Sequence, residues 1–143
     1  MGAILGKGTA KQIQVLGEFF EEIGTLFQVR DDIINISGFQ GNLKQQSEDL
    51  KCGKITLPLA IALQNLSEDA RKLLIQELNS KTCDSGSLTD NLLAAINSTN
   101  SIQLCKDIID RRNKFALEIL LNSKCNLSQT ENFAMFSRRI LDI

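Results

Sequence analysis

The sequence has no histidine, tryptophan or tyrosine, and its one proline is Pro58. Without histidine the chain lacks the usual general base, the Ser-His and Cys-His nucleophile systems, and the commonest zinc ligand. No apolar run approaches the roughly 20 residues that span a bilayer, so we expect no transmembrane segment. The 16 basic and 17 acidic residues leave a net charge of -1. That balance gives no support for a nucleic-acid partner.

The four cysteines are far apart in sequence, and no C-x-x-C pair occurs among Cys52, Cys83, Cys105 and Cys125. This spacing argues against a zinc site or a dithiol redox centre. We interpret the cysteines as free thiols in a reducing compartment and predict a cytoplasmic location.

Helix-forming residues dominate and β-branched runs are short, which predicts an all-α chain. Caps and apolar periodicity predict helices over residues 10–36, 57–65, 68–78, 88–96, 99–121 and 128–143. Thr9 is the predicted cap of the first helix, and Pro58 fits the first turn of the second. We expect loops over residues 40–54 and 82–87.

Four oxygen-bearing side chains share one face of the first helix. At 100° per residue, Gln28, Asp31, Asp32 and Asn35 fall within an arc of about 100°. Hard oxygen ligands suit Mg²⁺, which also keeps water and phosphate oxygens in its shell. One helix offers too few ligands for a complete cage, so substrate oxygens or a second acidic helix would have to complete it. The alternative is a solvated polar stripe.

Three lysines follow in or beside the next loop: Lys44, Lys51 and Lys54. If the cation carries a phosphate ester, such lysines could bind its oxygens. Each lysine taken alone is typical of a solvated surface lysine. Asp49 either orients a lysine or a metal-bound water, or caps a turn. Together the acidic face and the lysines predict a site for a magnesium-bound diphosphate. Glu21, Glu22 or another surface carboxylate is a candidate partner for Arg30, and such a surface pair would contribute little.

The residues at 24–35, Lys44 and 48–58 resemble the second aspartate-rich region of trans-isoprenyl diphosphate synthases, the polyprenyl synthetase family. The shared pattern is FQ-x-x-DD-x-x-D/N, a spaced lysine, and then D-x-x-x-GK-x-T-x-P. The resemblance is close over residues 2 to 63. Within the family, this segment is similar to geranylgeranyl diphosphate synthases.

The resemblance implies the isoprenoid synthase helical bundle, with residues 1–143 as the C-terminal portion of one domain and no separate second domain. It also implies Mg²⁺-assisted ionisation of an allylic prenyl diphosphate, followed by attack of isopentenyl diphosphate. Within that scheme Asp31 is a metal ligand, and Asp32 and Asn35 are weaker or water-mediated metal candidates. The pattern's last acid is Asn35 here, which should lower metal affinity.

The same resemblance implies that Gln28 contacts the diphosphate and that Lys44 and Lys54 hold the leaving group, with Asp49 supporting them. The family's first aspartate-rich motif and its isopentenyl-binding residues would precede this segment. We therefore expect the isolated chain to be inactive and to associate, either as a homo-oligomer or with a complementary chain that carries the first motif. Two alternatives are a non-catalytic subunit or scaffold, and a terpene cyclase of the same fold.

Overall fold

A computed structural model describes residues 1–38, 47–79, 85–123 and 130–142. Within these ranges the regular elements are α-helices, which confirms the all-α prediction. They are α1 (Gly2–Leu5), α2 (Ala10–Ser37), α3 (Glu48–Lys51), α4 (Leu57–Asn65), α5 (Glu68–Asn79), α6 (Ser85–Ser98), α7 (Ser101–Asn122) and α8 (Thr130–Leu141).

Local signals set both ends of α2. The Thr9 amide donates to Gln12 Oε1 at 2.9 Å, and the Gln12 amide donates to Thr9 Oγ1 at 3.3 Å. This reciprocal pair is a capping box, which satisfies donors that the first helical turn leaves open. Gly38 ends the helix with φ 74, a conformation that glycine adopts without steric cost. The predicted bounds and cap of this helix are confirmed.

Two loop predictions were wrong in part. The one-turn helix α3 lies inside the predicted loop at 40–54, and α6 begins at Ser85 rather than at Leu88. Leu50 of α3 is buried and Leu88 of α6 is half-buried against the same core. Packing of these leucines outweighs the weak helix propensity of the polar residues around them. The predicted capping residue Ser128 lies outside the described residues.

The chain divides into two compact units. The first comprises Met1–Arg30 and Ile108–Ile143, and the second is Asp31–Asp107. The prediction of a single domain portion without a second domain stays a prediction.

Aromatic and ionic contacts tie the first unit together. The rings of Phe19 and Phe133 lie edge to face with centroids 5.7 Å apart. Arg112 Nη2 binds Glu22 Oε1 at 2.6 Å. The expected partners of Arg30 were wrong, because its Nε donates to the backbone carbonyl of Asp142 at 2.7 Å while Glu22 is taken by Arg112.

The second unit has an aliphatic core that joins the end of α2 to α3, α4, α5 and α6. Its buried members are Ile36, Leu50, Leu59, Ala62, Leu74, Leu92, Ala95 and Ile96. Since hydrophobic burial is non-directional, this core brings the helices together without specifying how their polar ends meet. Hydrogen bonds from the end of α2 to the starts of α3 and α4 determine how these polar ends meet.

Candidate diphosphate site

The end of α2 presents its polar face at the edge of the second unit's core. Ile33 and Ile36 are buried, and their burial fixes the rotation of the helix about its axis. Asp31, Asp32 and Asn35 are consequently half-buried at the margin of the core. In this position their oxygens can meet backbone groups of the following segment and still lie near solvent.

Asp32 contacts the first turn of α4. Its Oδ2 accepts a hydrogen bond from the Leu57 amide at 3.1 Å. Thr56 is the N-cap of α4, yet its side chain makes no capping hydrogen bond, and Pro58 has no N–H to offer. A carboxylate at a helix N-terminus is favoured because unpaired amides and the helix dipole make that end positive.

Asn35 makes the equivalent contact with α3. Its Oδ1 accepts from the Asp49 amide at 3.2 Å, and its backbone carbonyl accepts from the Ser47 amide at 2.8 Å. Ser47 is the N-cap of α3 and has φ 63, a left-handed conformation. Like Thr56, it makes no capping hydrogen bond through its side chain.

The segment between these contacts holds an ion pair. Lys54 Nζ lies 2.7 Å from Asp49 Oδ1, and the Lys54 amide donates to the Asp49 carbonyl at 2.9 Å. Gly53, with φ 71, reverses the chain between them. The Lys54 side chain is 66% exposed and that of Asp49 is 18% exposed, so the ammonium group faces solvent while its partner is held in place.

The surroundings of Lys54 are negative. The hydrogen bond to Asp49 is the main cause that raises the pKa of Lys54, and the charges of Asp49 and Asp32 raise it further. Lys54 therefore remains a cation through the neutral range. Its ammonium group is paired with Asp49 and is largely exposed to solvent.

The other predicted site residues are placed as follows. Gln28 is exposed on α2, one turn before Asp31. Asp31 makes neither of the backbone contacts that Asp32 and Asn35 make in the described part of the chain. Lys44 lies outside the described residues, so its role in holding the leaving group stays a prediction.

Ser47 and Thr56 belong to this site and were missed from the sequence. Both are buried, and within the described residues their hydroxyl oxygens have no hydrogen-bond partner. Thr56 was detectable as a cap because it precedes the Leu57-Pro58 start of a helix. Ser47 carried no comparable signal, since α3 is a single turn inside a polar stretch.

The carboxylates fit a cation shared with a phosphate group and do not form a protein cage. Among the described residues, no three acidic or cysteine side chains are grouped so as to hold a metal ion. Mg²⁺ is commonly bound by one or two carboxylates, with waters and substrate phosphates completing its shell. On this face Asp32 already accepts a hydrogen bond from the Leu57 amide, which leaves the Asp31 carboxylate as the candidate for that limited role.

Comparisons with known proteins identify the family of the chain. The family model for polyprenyl synthetase matches residues 1–96. Geranylgeranyl pyrophosphate synthase 11, chloroplastic, of Arabidopsis thaliana is 40% identical over 74 residues, which are 51% of this chain and 21% of that protein. A short chain isoprenyl diphosphate synthase of Methanocaldococcus jannaschii is 33% identical over 82 residues, 57% of this chain and 25% of that protein.

A solved structure shares the fold. It is geranylgeranyl pyrophosphate synthase from Corynebacterium glutamicum, complexed with isoprenyl diphosphate and magnesium. The likeness has a TM-score of 0.79 at 22% identity and covers 99% of this chain and 40% of that one. The chain belongs to the polyprenyl synthetase family. It spans about a fifth to a quarter of the length of the curated relatives that it matches.

Over the part of the chain that the structure describes, every helix is too short or too polar to cross a membrane. The cytoplasmic location stays a prediction. Cys52 and Cys105, the two cysteines within the described ranges, are free thiols.

Proposed function

We propose that this chain contributes the diphosphate-binding face of an isoprenyl diphosphate synthase, a trans-prenyltransferase that condenses an allylic diphosphate with isopentenyl diphosphate. The observation that carries the proposal is the Asp49–Lys54 ion pair at 2.7 Å, in a segment hydrogen-bonded at both ends to the acidic face of α2. An exposed lysine held beside carboxylates suits a phosphate ester that brings its own divalent cation.

The proposed chemistry is electrostatic. When the allylic carbon–oxygen bond breaks, negative charge grows on the departing diphosphate, and fixed cations around it lower the barrier. Lys54 and Lys44 would supply that charge, while Gln28 would hydrogen-bond the diphosphate or its waters. Asp49 would keep the Lys54 ammonium in position.

Asp31 would be the direct ligand of Mg²⁺, with Asp32 and Asn35 farther from the ion or linked to it through water. Bound Mg²⁺ would supply Lewis-acid stabilisation of charge on the phosphate oxygens. The similarity to geranylgeranyl pyrophosphate synthases, one of which is complexed with isoprenyl diphosphate and magnesium, supports a magnesium-dependent diphosphate site.

A non-catalytic subunit that binds a complete synthase is the second candidate. It is favoured by the large apolar side chains that stay exposed in the first unit, such as Phe20 and Phe136, because exposed apolar surface is typical of a binding interface. We expect the purified chain alone to show no turnover of labelled isopentenyl diphosphate. Turnover that appears only when a chain with the first aspartate-rich motif is added would support the synthase, and turnover by the chain alone would refute the expectation.

Binding of inorganic pyrophosphate in the presence of Mg²⁺ tests the proposed site directly. By isothermal titration calorimetry, Lys54→Met should weaken binding about tenfold, which corresponds to about 1.4 kcal/mol. Lys44→Met should do the same. Lys51→Met is the matched control, since Lys51 is an exposed lysine of equal charge at the end of α3, and its loss should change binding less than about twofold.

Equal losses at all three lysines would mean that the segment acts through general positive potential, and the residue-specific roles would be wrong. No measurable pyrophosphate binding by the unsubstituted chain would contradict the proposed function of the chain on its own.

A further inference from the structure

We propose that Asp32 and Asn35 are positioning residues, which cap α4 and α3 from the neighbouring helix α2 and thereby hold the Asp49–Lys54 pair in place. The assignment of the capping contacts is independent of the reaction. Its consequence for a bound diphosphate rests on the proposed function.

The side chains at the N-cap positions of α3 and α4 make no capping hydrogen bond. Serine and threonine at an N-cap normally accept a hydrogen bond from an amide in the first helical turn. Here the hydroxyls of Ser47 and Thr56 are buried and, within the described residues, unpaired. The first-turn amides of Asp49 and Leu57 bond instead to Asn35 Oδ1 and Asp32 Oδ2. The acceptors for both helix starts therefore come from α2.

The two acceptors, Asp32 and Asn35, are three residues apart on α2. Residues three apart on an α-helix lie on the same face, about one turn from each other. Asp32 and Asn35 can therefore accept hydrogen bonds from both ends of the segment 47–57 at the same time. These two hydrogen bonds flank the Asp49–Lys54 pair in the sequence, and together they fix its position relative to α2.

The acceptor that Asn35 offers is its uncharged side-chain amide oxygen. A backbone N–H requires an oxygen acceptor, and a neutral side-chain carbonyl is sufficient for that purpose. Asparagine at this position therefore keeps the oxygen that capping requires. As a direct metal ligand it would lack the negative charge of an aspartate. Within the described residues Asp31 makes neither capping contact, which agrees with its proposed role as the ligand of a diphosphate-bound cation.

Amide hydrogen exchange measured by NMR on the full chain tests the capping role without any assay of activity. Asp32→Ala should speed exchange of the Leu57 amide about tenfold relative to the Leu92 amide in the core, and Asp32→Asn, which keeps an oxygen acceptor, should change it less than about threefold. Asn35→Ala and Asn35→Asp should behave likewise at the Asp49 amide.

Asp31→Ala is the matched control and should leave both amides within about twofold of the unsubstituted chain. Unchanged exchange at Leu57 in Asp32→Ala would overturn the proposal. If Asp32→Ala fails to fold, Asp32→Asn decides alone: retained protection at Leu57 supports the capping role, and lost protection contradicts it.

Calorimetry with Mg²⁺ and inorganic pyrophosphate tests the consequence for the ligand. Asp31→Asn should weaken binding about tenfold, while Asp32→Asn should weaken it less than about threefold. Equal losses would make Asp32 a charged ligand and overturn its assignment as a positioning residue. If the unsubstituted chain binds no pyrophosphate, the proposed function fails, and the exchange measurements still decide the capping role.

Discussion

At the scale of single residues, the turn at Gly53 decides where Lys54 stands. Its φ of 71 lies in the left-handed region, and a Cβ added there would meet no atom within 4 Å. Any cost of a larger residue is therefore backbone strain rather than a clash. Gly24 offers the opposite case, since it also has open space around its Cβ position but lies inside α2.

These two glycines make a matched pair. Gly53→Ala should lower the free energy of unfolding by about 1 kcal/mol, because an L-residue is strained at positive φ. Gly24→Ala should raise it by about 0.5–1 kcal/mol, because alanine loses less backbone freedom than glycine in a helix interior. Urea denaturation measures both. A change of the same sign in the two variants would contradict the explanation.

Cys105 gives a pH-dependent prediction. Burial raises the pKa of its thiol from 9.0 to about 11, with a smaller effect from the charge of Asp32. Between these two values the unfolded chain loses the thiol proton while the folded chain retains it. Stability should therefore be intact below pH 9 and fall as the pH rises towards 11, by at most about 3 kcal/mol.

Urea unfolding at pH 8 and pH 10, compared with the Cys105→Ala variant, isolates this contribution from the titration of lysines. The unsubstituted chain should lose more stability between the two pH values than the variant does. Parallel losses would show that the buried thiol does not control the alkaline response.

At the scale of elements, α4 connects the site to the core. The helix is almost wholly apolar from Leu57 to Leu63, and Leu59 is fully buried in the core of the second unit. The same helix presents the Leu57 amide to Asp32. Loosening the packing of α4 should consequently disturb the contact that holds the site.

Leu59→Ala should destabilise the chain by about 2–5 kcal/mol, because it removes buried methyl groups and leaves a cavity. Leu73→Ala is the control on the neighbouring helix α5, where the side chain is 63% exposed, and it should change stability by less than about 0.5 kcal/mol. Chemical denaturation measures the free energy of unfolding of both variants, and the dependence of that free energy on denaturant concentration, the slope m, should stay constant. Similar costs for both leucines would mean that Leu59 does not support the core as its burial indicates.

The bounds of α2, α4 and α5 were predictable to within one or two residues because their caps and apolar periodicity are local. The short helix α3 and the first turn of α6 were not predictable in this way. Leu50 and Leu88 stabilise those helices through contacts with residues distant in sequence, and such contacts leave no local pattern.

At the scale of the whole molecule, large apolar side chains remain exposed in the first unit. Phe20, Phe27, Phe136 and Met135 are 45%, 46%, 44% and 68% exposed. The Phe20 and Phe136 rings lie in contact with centroids 6.0 Å apart, and contiguous exposed apolar surface usually marks an interface.

We expect the chain to associate at micromolar concentration, with itself or with a complementary chain of the same bundle. Sedimentation velocity of the purified chain, with binding of a hydrophobic dye as a second measurement, checks this expectation. Phe20→Asp with Phe136→Asp should shift the chain towards monomer. A compact monomer that binds no dye before any substitution would contradict the expectation.

Helix propensity, caps and motif spacing are properties of neighbouring residues. They were therefore sufficient to predict the helical class, the long acidic helix, the Pro58 start of α4 and the resemblance to the polyprenyl synthetase family. Helical spacing also places Asp31, Asp32 and Asn35 on one helix face. The hydrogen bonds from the amides of Leu57 and Asp49 to Asp32 and Asn35 depend on tertiary packing instead. Those partners lie 25 and 14 residues away along the chain, and packing of the core, rather than any local preference, brings them within hydrogen-bonding distance.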